Sequence, residues 1–199
     1  MSRLAPSVVR VAEVASTPWR NGGGVTRELL AWPSAEDWLL RVSVADIKLS
    51  GPFSAYPGID RWFAVLEGGA VRLDTAGELA HELTALQPDL HLFTGDVATH
   101  CTLLGAETRD FNLMADRARI RVKQQSLQKC PELKTRAAIA GLFVTQAAEL
   151  RQEPNLVRPL HALTLVWWSN ADGGRLSLQL GSEGVRGWWF EADPIASKL

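Results

Sequence analysis

With 199 residues, 46% of them hydrophobic and 22% charged, the chain has an ordinary globular composition and enough length to bury a core without staples. Its formal net charge of -1 argues against nucleic acid or an anionic membrane as partner. Two cysteines without a CxxC spacing exclude a disulfide framework.

Leu4 to Val14, broken by Pro6, Arg10 and Glu13, does not read as a secretory leader. No apolar run approaches the ~20 residues that span a bilayer. The cytoplasm is the expected compartment, with both thiols reduced.

The first informative stretch is Thr17-Pro-Trp-Arg-Asn-Gly-Gly-Gly-Val-Thr-Arg-Glu28. Three consecutive glycines belong where a chain turns sharply or approaches another group closely. Trp19 and Asn21 before them, and Arg27 and Glu28 after, point to the rim of a small-molecule site, with exposed glycine N–H groups able to hold a small anion. On a regular strand Arg27 and Glu28 face opposite ways, so only one of them can line an interior. Arg27 would suit a carboxylate, Glu28 an amine or amidine.

Trp38 to Asp46 alternates, with Trp38, Leu40, Val42 and Val44 on one face and Arg41, Ser43 and Ala45 on the other, as in a half-buried strand. Ser50 to Gly58 is an ordered loop. Trp62 to Leu66 reads as an apolar strand, Glu67-Gly68-Gly69 as a hairpin turn, and Ala70 to Asp74 as the returning strand. A polar excursion from 75 to 89 ends at Pro88. Strands follow at Leu90 to Phe93 and Thr99 to Leu104, with a turn at Gly105 to Thr108, then at Asp110 to Met114 and Arg119 to Lys123. The basic run from Arg117 to Lys123 reads as the wet face of a strand. Later candidates are Leu142 to Thr145, His161 to Trp168 and Leu176 to Leu180. Ala137 to Gly141 and Ala147 to Arg151 could each hold a helical turn. Short strands spaced about ten residues apart make the chain all-β, a sandwich or barrel, with a seam near 115 to 130.

Arg61, at the mouth of a buried strand, is an anion anchor or half of an Asp–Arg pair, with the pair the commoner arrangement. Asp110 and Asn112 share a strand face and could both point inward. The four histidines show no HxH or HExxH spacing, His100 and Cys101 point apart, and no P-loop or GxSxG motif occurs. Most of the eight tryptophans fit core packing, although Trp167-Trp168 and Trp188-Trp189 could form a protein-contact surface.

Pro18 to Glu28, Gly51-Pro-Phe-Ser54, Pro57-Gly-Ile-Asp-Arg61, Phe93-Thr-Gly-Asp96 and Asp110 to Met114 occur in the order seen in the HutD/Ves family, which the chain resembles over most of its first 125 residues. The resemblance implies a cupin-type (RmlC-like) β-barrel duplicated as a bicupin over 1–199, with halves of about 1–120 and 121–199. It further implies a role beside histidine utilisation, such as binding an intermediate like formiminoglutamate, or a role in stress response. Metal-binding cupins carry two histidines and a glutamate before a glycine-rich turn. Gly58 to Gly68 carries no histidine, so neither metal nor cofactor is expected.

The leading expectation is a non-enzymatic protein that binds a small carboxylate metabolite through Trp19, Asn21, Gly23, Arg27, Glu28, Arg61, Asp110 and Asn112. The alternative is a metal-free cupin isomerase, epimerase or hydrolase, with Glu28 or Asp110 as base and Arg61 as stabiliser. Self-association as a homodimer is left open.

Overall fold

The computed structural model describes residues 5–85, 87, 89–129, 132–153, 155–170, 173–181 and 184–196. Pro88 and Cys130, read above as a boundary and a reduced thiol, lie outside the described residues. Strands run antiparallel throughout and fall into two compact units. One unit is Val14–Arg119. The other combines Ile120 onward with the segment through Glu13, because β1 (Ser7–Arg10) pairs with a strand near residue 166.

In the Val14–Arg119 unit the strands are β2 (Thr17–Pro18), β3 (Gly24–Trp32), β4 (Leu40–Ile47), β5 (Gly51–Pro52), β6 (Ile59–Thr75), β7 (His81–Leu83), β8 (His91–Thr94) and β9 (Thr99–Asp116). The sheet order is β2-β3-β4-β9-β6-β7, with β5 added on β9 and β8 on β6. Two expected turns are absent. Glu67 to Gly69 and Gly105 to Thr108 lie inside β6 and β9, which pair from Ile59↔Asp116 to Thr75↔Thr99 as one long ribbon. The glycines mark register shifts at Val65/Glu67 and Gly68/Ala70 instead. Gly68 has φ +94°, and a Cβ there would lie 2.1 Å from the Glu107 carbonyl oxygen, so the bulge admits glycine alone.

The alternation of β4 is as read, but its polar face is not wet. Leu40, Val42 and Val44 are fully buried, while Arg41, Ser43, Ala45 and Ile47 line a cavity. Beside that cavity lies a core of Ile47, Phe63, Val65, Val71, Leu73, Leu83, Phe93 and Cys101.

The second unit contains β10 (Ile120–Ser126), β11 (Glu132–Thr135), β12 (Ile139–Val144), β13 (Ala148–Gln152), β14 (Leu156–Leu160), β15 (Thr164–Ser169), β16 (Leu176–Leu180) and β17 (Gly187–Pro194). They form the sheets β1-β15-β12-β17-β10 and β11-β16-β13-β14. The two segments expected to hold helical turns are the start of β12 and β13. In β12 all six residues are buried, and a continuous apolar run cannot distinguish a buried strand from a helix. This core is packed with Trp168, Trp189, Leu133, Leu142, Leu150 and Leu178. Trp168, Trp188 and Trp189 are at most 4% exposed, which removes three of the four side chains that a tryptophan contact surface would have needed.

Candidate functional site

A cavity of about 630 Å³ opens in the Val14–Arg119 unit, lined by residues of β2 to β6, the loops between them, and β9. Alternation decides who enters it. On β3, Thr26 and Glu28 face in. Arg27 faces out, and its Nη1 donates to Asp46 Oδ2 at 2.7 Å. Arg109 bonds the other oxygen of Asp46 at 2.7 Å and Glu67 at 3.0 Å. Those bonds hold the Asp46 carboxyl below its ordinary range against the opposing cost of burial. Arg27 is therefore a member of an outer ion-pair chain and not a ligand group, which corrects one expectation and answers which of the two neighbours looks inward.

Arg61 enters from the start of β6 and is only 7% exposed. Its guanidinium carbon lies 4.8 Å from the centroid of the Phe93 ring, 4.9 Å from Phe53 and 5.8 Å from Tyr56. Nη2 donates to Asn112 Oδ1 at 3.1 Å, while Nε has no hydrogen-bond partner. Burial pulls its pKa down to about 10, with Tyr56 opposing the fall and the Arg41 charge adding a lesser push downward. It still carries its charge at neutral pH. Among the described residues no carboxylate faces it within ion-pair range, so the expected Asp–Arg pairing does not hold: neighbouring Asp60 binds Arg117 instead. A buried cation without a counter-ion is costly and invites an anion.

Glu28 lines the cavity closer to solvent, its side chain 38% exposed, and accepts a bond from Arg41 Nε at 2.7 Å. Arg20, on the preceding loop, also lines the cavity. The sequence reading passed over Arg41, Tyr56 and Phe53. For Arg41 the available cue was its place on the polar face of an alternating strand.

The glycine triplet does structural work. Trp19 N–H bonds the Gly24 carbonyl and Gly22 N–H the Trp19 carbonyl, with Gly22 at φ +70°. Asn21 Oδ1 accepts the Gly23 N–H at 3.0 Å, so the N–H groups of Gly22 and Gly23 are not free to cradle an anion. A Cβ on Gly24 would meet the Asp46 carbonyl at 2.5 Å and the Trp19 ring at 3.2 Å. Trp19 is held by its own N–H on Thr26 Oγ1 at 2.7 Å and forms cavity wall. Gly23 lines a smaller neighbouring cavity of about 230 Å³ with Trp19, Asn21, Phe53 and Cys101.

Asp110 is fully buried and absent from the cavity lining. Its Oδ2 accepts from the Thr108 hydroxyl at 2.8 Å and its Oδ1 has no partner. Burial pushes its pKa up to about 8, with Asp46 adding to the rise and the Thr108 bond opposing it. Sealed and mostly protonated at neutral pH, it can neither hold a ligand in the cavity nor act there as a base, contrary to the sequence expectation. Nearby Cys101 is likewise kept neutral, its pKa raised to about 12 by burial and by Asp110.

A metal does not fit this cavity. Its lining has no histidine or cysteine, its innermost charge is a guanidinium, and no group of three His, Cys, Asp or Glu suited to a metal occurs among the described residues. His81 and His91, ten residues apart in sequence, do meet with ring centroids 4.3 Å apart, outside the cavity lining. No helix among the described residues is long and apolar enough to cross a membrane.

The sequence model of the HutD family matches residues 11–185. The chain is 34% identical over 149 residues to an uncharacterised 21.2 kDa protein of the hutC 3′ region of Pseudomonas putida, covering 74% of this chain and 76% of that one. It is 30% identical over 167 residues to protein Ves of Cronobacter sakazakii, covering 83% and 87%. The structure of HutD from Pseudomonas fluorescens, obtained in a formate condition, superposes with a TM-score of 0.84 at 27% identity, covering 96% of this chain and all of that one. A mutant of Bacillus subtilis oxalate decarboxylase superposes with a TM-score of 0.63 at 7% identity over 99% of this chain and 79% of that one. That likeness fixes the fold class as cupin-type all-β.

Proposed function

The chain belongs to the HutD family, and from that premise we propose that it is a non-enzymatic protein that binds a small carboxylate metabolite and modulates histidine utilisation. The observation that carries this reading is Arg61, a charged guanidinium 7% exposed, facing a cavity and lacking a counter-ion among the described residues. A carboxylate arriving there gains a charge-assisted bond and relieves the unpartnered Nε. The volume of about 630 Å³ lies within the ordinary range of small-molecule pockets.

Formiminoglutamate combines the groups that the walls call for. One carboxylate would reach Arg61 and Asn112, and the cationic formimino group would exchange with Arg41 for Glu28. The HutD relative solved in a formate condition makes formate a sensible minimal probe. The enzymatic alternative is weaker on chemistry, because Glu28 is tied to Arg41 and Asp110 is sealed behind the wall. In the same spirit we read the fold as a bicupin in which one barrel is open and the other filled.

The test is thermal unfolding with histidine, urocanate, formiminoglutamate and formate, on the wild type and on Arg61→Met. A ligand at 100 times its dissociation constant adds about 2.7 kcal/mol, or about 5–10 °C for a protein of this size. Formiminoglutamate should give that shift in the wild type and none in Arg61→Met. Equal behaviour of the two proteins, or no shift with any of the four, would sink the proposal.

A further inference from the structure

Two motifs remain unabsorbed by the cavity, Pro57-Gly-Ile-Asp60 and Thr94-Gly-Asp96, and the structure joins them through a residue outside both. Arg117 follows β9 and spreads its guanidinium over their outer side. Nε donates to Asp60 Oδ1 at 2.9 Å, Nη1 to Asp96 Oδ2, and Nη2 to the Ile59 carbonyl at 3.1 Å and to Thr94 Oγ1. Asp96 Oδ1 in turn accepts the Gly58 N–H at 2.7 Å, and its Oδ2 accepts the Thr94 hydroxyl. Backbone bonds close the frame: Gly95 N to Ile59 O at 2.8 Å, Tyr56 N to Gly95 O at 2.9 Å and Arg117 N to Gly58 O at 3.1 Å.

Every partner of this frame is a close chain neighbour of a residue around Arg61. In the β6–β8 register Asp60 faces Thr94 and Arg61 faces Phe93. One pair is clamped by Arg117 and the next is the cation with its ring. Gly58 sits two residues after Tyr56, another ring beside Arg61. Successive side chains leave opposite faces of a strand, so the outer clamp fixes the backbone from which the inner cage projects. An isolated exposed ion pair contributes little, but a multidentate fork on several partners imposes geometry.

We propose that Arg117, acting through Asp60, Thr94 and Asp96, is a positioning residue that sets the aim of the Arg61 guanidinium. The inference rests on the reading of Arg61 as the anion anchor. Lysine in its place keeps the charge and loses the fork.

The test compares the wild type, Arg117→Lys, Asp96→Asn and, as a control, Arg72→Gln, which breaks an exposed pair with Asp74. Two quantities are read: solvent exchange of the Arg61 Nε–H by nitrogen-15 NMR without ligand, and the dissociation constant for formiminoglutamate by calorimetry. Arg117→Lys and Asp96→Asn should each speed the exchange and weaken binding by about tenfold, because misplacing an anchor by a fraction of an ångström is expensive. Arg72→Gln should leave both within about twofold. If the two clamp variants merely melt earlier, with exchange and affinity unchanged, the role is structural and the proposal is overturned. If the wild type binds no carboxylate, the functional reading falls, and the ligand-free exchange still decides the positioning.

Discussion

Two buried ionisable groups in one unit behave in opposite ways, and each gives a test. Arg61 stays ionised and is stabilised only by Asn112 and aromatic faces. Replacing it by methionine removes an uncompensated charge from the interior, so Arg61→Met should unfold at equal or higher denaturant, by roughly 1–3 kcal/mol, while losing carboxylate binding. Asp110 instead keeps a proton. Its folded pKa of about 8 exceeds its ordinary value of 3.8, so the native protein holds a proton that the unfolded chain releases between these limits. Stability from this group is therefore fully present below about pH 4 and falls as pH rises toward about 8. Asp110→Asn should abolish that fall, gaining roughly 2–4 kcal/mol over the wild type at pH 8 and little at pH 4. Urea titrations of both proteins across the range would show it as a difference in slope.

At the level of single elements, the β6–β9 ribbon explains both what could be read from sequence and what could not. Strand content and the alternation of β4 were legible because they follow from a period of two, which also put Asn112 and Asp110 on one strand face without saying what that face meets. The glycine-bearing stretches at 67–69 and 105–108 read as turns because a bulge and a turn ask the same of a residue. Which it is depends on what crosses from the other strand, here the Glu107 carbonyl against Gly68. Gly68→Ala should accordingly cost about 3 kcal/mol or more, since left-handed φ and a backbone clash add, measurable as a lowered unfolding midpoint. Arg41 and its neighbours looked solvent-facing for a similar reason: a polar stripe signals water or a polar chamber equally well. Arg117 was hidden because it works across chain distances of 21 to 58 residues.

Across the whole chain, the two units divide the work. The Val14–Arg119 unit spends its inner face on a polar cavity, whereas the second fills its interior with leucine and tryptophan. Trp168→Ala, in the filled core, should lose about 3–5 kcal/mol of stability. Its affinity for a carboxylate, measured by calorimetry on the folded fraction, should stay within about twofold of the wild type.

The ribbon also predicts an order of assembly. Its near end joins Thr75 to Thr99, 24 residues apart along the chain, and its far end brings Arg61 to Asn112, 51 residues apart. Closing the shorter loop first costs less entropy, and each further pair then zips onto the last. The end that carries the cavity is thus the last to form. Met114→Ala, at the position that faces Arg61 across the ribbon, should leave the folding rate nearly unchanged and accelerate unfolding, whereas Leu73→Ala should slow folding. In stopped-flow measurements the binding site would then appear as the part of the barrel that arrives late and opens early.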